Sequence, residues 1–294
     1  MKGARLGLLL ALLAPADALG SPIRANTPGT GVFQGSGILG GFVADRQSGG
    51  GAEASSLTSI AELRYTPSTH WVFGVRVPVH VESHVESPGL GSQSASGPGD
   101  VVLTGKHRFF RQVGRWQDRH AAVELGVKLP TGSTDRPADP RLAPALHHRL
   151  QPGTGSTDFL ASLVYQQARG KWGQAADVSY RLNGEGDGDY RQGDEVRLNG
   201  SLQYILFPRV YTRPGRELFV LLEGTATWKE ADRLRDTALP GTRRTELLLA
   251  PGLQYVATER LFLELSVQFP LSSDVDEEGL ASDWNALANF RFAF

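Results

Sequence analysis

The chain ends Asp283-Trp284-Asn285-Ala286-Leu287-Ala288-Asn289-Phe290-Arg291-Phe292-Ala293-Phe294. Trp284, Ala286, Ala288, Phe290, Phe292 and Phe294 share one parity, and Asn285, Asn289 and Arg291 share the other. A period of two marks a β-strand, because successive Cβ atoms point to opposite faces. The apolar face is aromatic at both ends, small in between, and runs to the last residue. On the edge of a soluble sheet such a face invites aggregation. On a stave of a closed barrel in lipid, aromatics belong at the two interfaces and small apolar residues between them. A terminal strand of a soluble sandwich would also alternate, so the remaining residues have to decide.

The 294 residues suffice for one large all-β domain or two small ones. There is no cysteine, which excludes a disulfide framework and thiol chemistry. At the amino terminus Lys2 and Arg5 precede the apolar run Leu6 to Leu13, and Ala16-Asp17-Ala18 offers a small-x-small cleavage site. Residues 1–18 therefore read as a signal peptide, too short to span a membrane, and 19–294 as the mature domain. Without residues 1–18 the chain carries 28 basic and 30 acidic side chains, a net charge of −2. That balance gives no reason to expect nucleic acid. No later run approaches the 18 or so apolar residues of a membrane helix.

About twelve alternating runs follow, near 31–45, 57–66, 70–84, 99–111, 119–129, 157–168, 171–183, 194–207, 217–230, 243–257, 260–270 and 283–294. Each has roughly the 9–11 residues, or slightly more, of a tilted membrane strand. Links after runs two, six and ten are tight, and those after runs four and eight are of intermediate length. Links after the odd runs are longer: 46–56, 85–98, 130–156, 184–193, 231–242 and 271–282. A sandwich has no cause to sort its links by parity, whereas a barrel with both termini in the periplasm does. The expected fold is all-β: one antiparallel transmembrane barrel of about twelve strands, with short periplasmic turns and long extracellular loops.

From the fourth run to the sixth the sequence carries Gly99-Asp100, Lys106, Lys128-Leu129-Pro130-Thr131-Gly132 and Gln151-Pro152-Gly153-Thr154-Gly155-Ser156-Thr157-Asp158. Together with the terminal Phe294 this stretch resembles the outer-membrane protein and transporter family named for the meta-pathway of phenol degradation. The resemblance implies a bacterial outer-membrane barrel passing small, aromatic or hydrophobic molecules, and it brings no catalytic or binding residues with it. A final Phe on an aromatic strand also resembles the signal read by the outer-membrane assembly machinery. Expected partners are that machinery, outer-membrane lipid and lipopolysaccharide, and a small-molecule solute.

By parity the inward-facing charges are Glu62, Arg64, Arg76, His80, Glu82, Lys106, Arg108, Glu124, Lys128, Asp177, Arg181, Glu195, Arg197, Glu223, Glu246, Glu264 and Arg291. Signs are mixed, so no ring of one charge argues for ion selectivity. The 27 residues from Pro130 to Ser156 exceed an ordinary connection. They are expected to fold across the mouth and constrict it, with Arg141, His147, His148 and Arg149 at the entry. No metal or cofactor is implied. His147-His148 lacks carboxylates at useful spacing, and Gly184 to Asp189 lacks the regular pattern of a calcium loop. A structural or adhesive barrel with a closed lumen is the alternative function. A barrel-embedded hydrolase would need a nucleophile and base within reach, and no His-x-Ser-Asn-Gly motif is present.

Overall fold

The computed structural model describes residues 36–115, 117–209, 216–276 and 279–294. The expected signal peptide and the first residues of run one lie outside them. Twelve strands form the wall: β1 (Gly37–Gly49), β2 (Ala52–Tyr65), β3 (Trp71–Ser87), β5 (Val102–Gly114), β6 (Gln117–Lys128), β7 (Asp158–Arg169), β8 (Trp172–Leu182), β10 (Glu195–Phe207), β11 (Glu217–Lys229), β14 (Arg244–Val256), β15 (Leu261–Val275) and β16 (Ala281–Ala293). Each pairs antiparallel with its neighbours, and β1 pairs with both β2 and β16, which closes the barrel. Closure leaves no long free edge for another chain to add to.

Lipid is the reason for the outward face. Leu57, Leu63, Val75, Leu125, Leu163, Leu198, Leu202, Leu222 and Leu265 are exposed. At the rim holding the carboxyl terminus, Trp71 stacks near Phe73 at 5.9 Å and Trp172 lies 4.7 Å from Tyr204. Phe290, Phe292 and Phe294 continue that girdle, while Trp228, Tyr180 and Trp284 mark the opposite one. Two aromatic belts around an apolar waist are the outer surface of a membrane barrel.

Two links depart from expectation. Residues 46–56 are not a long loop: β1 and β2 pair from Gly37↔Arg64 to Gly49↔Ala52. The hairpin closes on Gly50 and Gly51, at φ 57° and 78°. A two-residue turn with both central residues at positive φ matches strand twist, and glycine adopts it freely. Residues 85–98 likewise extend β3 and return as β4 (Gly91–Gly97), a hairpin standing above the rim.

A further departure moves two residues. Ile60 faces Pro78 but Ser59 faces His80, so Val79 is an extra residue in β3. A bulge flips the parity of everything beyond it. His80 and Glu82, expected in the lumen, are exposed and share the outward face with His84 and Glu86, while Ser83 and Val85 turn inward. That outward face becomes polar where β3 leaves the bilayer. Leu202→Arg should therefore cost the barrel about 2–4 kcal/mol, the price of a charge at the midplane. Glu82→Arg should stay within about 0.5 kcal/mol, as for ordinary surface changes. Folding titrations in lipid vesicles check both, and equal damage would contradict the placement.

Candidate functional site

The interior is built from the other parity. Arg76, Lys106, Arg108, Glu124, Lys128, Glu195, Arg197, Glu223, Glu264 and Arg291 all stand inward and buried. Charges at low dielectric need partners, and several of these find one on the same or an adjacent strand. Glu62 accepts from Arg64 on its own strand at 2.5 Å and pairs with Arg76 on β3 at 3.0 Å. Lys106 on β5 pairs with Glu124 on β6 at 2.6 Å. Glu195 and Arg197, two residues apart on one face of β10, pair at 2.5 Å. Leu39, Val43, Ile205, Phe219, Val256, Phe262 and Leu287 form an inward apolar cluster. The Arg291 guanidinium lies 5.6 Å from the Phe262 ring, where the two sets meet. The middle of the barrel is thus packed by mixed side chains rather than lined as a wide pore.

The segment between β6 and β7 turns inward over this packing. It carries the helix α1 (Pro144–Leu150), with proline in its first turn, a favoured place for it. Leu150 and Leu142 are buried against Ala54 and Val85, inward residues of β2 and β3. Arg149 reaches Asp45 of β1 at 3.1 Å. His148 stacks on Tyr190, ring centroids 3.7 Å apart. Tyr190 sits in β9 (Tyr190–Arg191), which pairs with β12 (Arg233–Leu234) in a small sheet completed by β13 (Thr237–Ala238). Its hydroxyl donates to Asp232 at 2.6 Å, and Asp232 also pairs with Lys229 at 2.6 Å. Arg141 stands apart: its side chain is 71% exposed and bonds to Asp139. Of the four residues expected at the entry, His147, His148 and Arg149 are on α1 at the mouth and Arg141 is not.

Both ends of the segment are fixed by a knot. Lys128, fully buried at the top of β6, pairs with Asp158 at 2.7 Å and Asp100 at 3.4 Å, and donates to Thr154 and to Ser156. Asp100 accepts from the backbone N–H of Gly132 at 2.8 Å and of Thr154 at 2.9 Å. Gly132 and Gly153 cross in contact, where a Cβ on either would fall within 2.7 Å of the other's backbone. Pro130-Thr131-Gly132 and Pro152-Gly153-Thr154 are therefore brought together by one buried lysine. The residues were visible in the sequence, but their joint role was not. The clue was an Asp, a Lys and an Asp at the mouth-side ends of three successive runs. His84 and Ser92, also unforeseen, lie 3.0 Å apart on the exposed face of the β3–β4 hairpin, outside the cavity described next.

Between α1 and the surrounding wall lies a cavity of about 220 Å3. Thr58, Pro78, Val81 and Ser83 line it from the wall, Leu146, His148 and Arg149 from α1, and Tyr190, Lys229 and Arg244 from the facing side. Burial, then the neighbouring His147, pushes the His148 imidazole down to about 4, against the weaker pull of Asp232 and Asp187. Docking thus favours the neutral ring. It should be at full strength above the ordinary histidine value of 6.5 and weaken as pH falls towards 4. The hydrogen-exchange protection factors of residues 144–150, which remove the intrinsic pH dependence of exchange, should fall over that interval, and His148→Gln should flatten the dependence. A flat profile in the parent protein would contradict the assignment.

A family model described as "Putative MetA-pathway of phenol degradation" matches residues 24–279. Among solved structures, the COG4313 outer membrane channel from Pseudomonas putida F1 is similar, with a TM-score of 0.63 and 17% identity over 88% of this chain and 96% of that one. The β domain of the Bordetella autotransporter BrkA gives 0.51 and 13% over 88% and 100%. At such identities the likeness is one of fold, a closed outer-membrane barrel. Comparison with curated proteins gives no match.

Proposed function

The chain belongs to the family of the MetA-pathway of phenol degradation, and on that premise we propose that it is a narrow outer-membrane channel admitting small molecules, aromatic ones among them. One observation carries the reading: α1 is docked inside the mouth of a closed transmembrane barrel, over a cavity of single-solute size. Sites for drug-sized ligands run to about 300–1,000 Å3, so about 220 Å3 suits one ring or its equivalent. A helix over a cavity of that size describes a facilitator that handles solutes singly. Export through residues 1–18, insertion through the strand ending at Phe294, and contact of the outward polar hairpin with lipopolysaccharide complete the proposal.

The packed interior favours a second reading, a closed barrel whose raised hairpin and loops meet outside partners. Uptake into proteoliposomes separates the two. Phenol should enter faster than into protein-free vesicles of equal leakiness, and a disaccharide should not. Protein-free rates for both solutes would leave the closed barrel as the better account.

A further inference from the structure

Arg244 opens β14 at the mouth and lines the cavity. Its side chain is only 7% exposed, and its Nε meets no hydrogen-bond partner among the described residues. The nearest carboxylate, Glu246, stays 3.8 Å away, beyond hydrogen-bonding distance. Glu246 is committed elsewhere: it accepts from the Ser282 backbone at 2.8 Å, the Ser282 hydroxyl at 3.1 Å and Ser273 at 3.4 Å. The other two cations of the lining are satisfied, Arg149 by Asp45 at 3.1 Å and Lys229 by Asp232 at 2.6 Å. A buried guanidinium without hydrogen bonds is costly, and its planar fork matches a carboxylate. Apolar side chains share the lining with polar ones, Pro78, Val81, Leu146, Val275 and Leu280 among them.

From this pairing of one guanidinium without hydrogen bonds with apolar side chains in the same small cavity, we propose that the cavity binds small organic monocarboxylates with an apolar body, held through Arg244. The proposal rests on the solute-channel reading and names its substrate class. The carboxylate takes the hydrogen bonds Glu246 does not, and the ring or chain lies along Val81, Leu146 and Leu280. A neutral analogue of the same shape leaves Arg244 unsatisfied, and a wet anion without an apolar part gains nothing from the walls.

Calorimetry on the full chain in detergent, with benzoate, benzyl alcohol and formate as probes, tests this without any flux. Benzoate should bind at least about tenfold more tightly than either of the others, as expected for hydrogen bonds to a charged group. Arg244→Gln should erase the preference, and Arg244→Lys should keep part of it. Arg235→Gln, at an exposed loop tip, should change nothing. Heat-modified electrophoretic mobility shows whether each variant folds, and Arg244→Lys serves if Arg244→Gln does not. Equal binding of benzoate and benzyl alcohol, or an Arg244→Gln protein that holds benzoate like the parent, overturns the proposal. Flux without benzoate binding would spare the channel reading and remove this one. Binding without flux would do the reverse.

Discussion

Deleting Asp135 to Arg149 should raise the conductance of the barrel severalfold and make solute uptake faster and less selective. The deletion removes Leu142 and α1 as far as Arg149, and with them Leu142's share of the contact on Ala54 and Val85, the Arg149–Asp45 pair and the His148–Tyr190 stack. The wall does not depend on that segment, because the strands pair with one another around the closed ring. The knot also survives, since Gly132, Gly153 and Thr154 lie outside the excised stretch. Planar-bilayer recordings and uptake of small aromatic solutes measure the effect. A folded deletion protein with unchanged conductance would end the idea that α1 narrows the passage.

Lys128→Met should be the most damaging single substitution in stability. It strips a fully buried cation from between Asp100 and Asp158, both also buried. Removing one partner of a buried pair costs about 3–5 kcal/mol, because the charge left behind has nothing to meet. Asp100 also holds both ends of the inserted segment, so the damage should show as faster proteolysis between residues 129 and 157. Adding Asp100→Asn and Asp158→Asn should recover part of the loss, since neutral amides no longer need the lysine. Denaturant unfolding in lipid vesicles gives the magnitude. A loss below about 1 kcal/mol would mean that water satisfies the carboxylates and the knot is not the anchor.

The barrel was legible because lipid imposes a period of two on every stave that crosses it. The signal fades where a strand leaves lipid. On β2 the outward Glu53 and Ser55 are polar while the inward Ala52 and Ala54 are apolar, the reverse of the pattern in lipid, so the glycine-rich stretch around them reads as loop. In the fold it is a strand end and a two-residue turn. His80 and Glu82 were misplaced for a related reason. Parity counting assumes no insertion, and one bulge at Val79 inverts it. Pro78, which has no N–H for the ladder, was the local sign. The inserted segment was legible as too long and too proline-rich to be a tether. Its chemistry was not: Lys128, Asp100 and Asp158 meet only once three strands are in register, and Arg149 meets Asp45 across 104 positions of sequence. Arg141, equally basic and nearby, satisfies itself on Asp139 two residues away and never enters the mouth.

Single-channel recording of the purified full-length protein in planar bilayers tests the central claim, that this barrel is a narrow solute channel. The expected result is discrete openings of small conductance that protein-free bilayers lack, shortened or blocked by small aromatic solutes added on the loop side. A bilayer that stays silent with the folded protein inserted, and equally silent with Asp135 to Arg149 deleted, would contradict it.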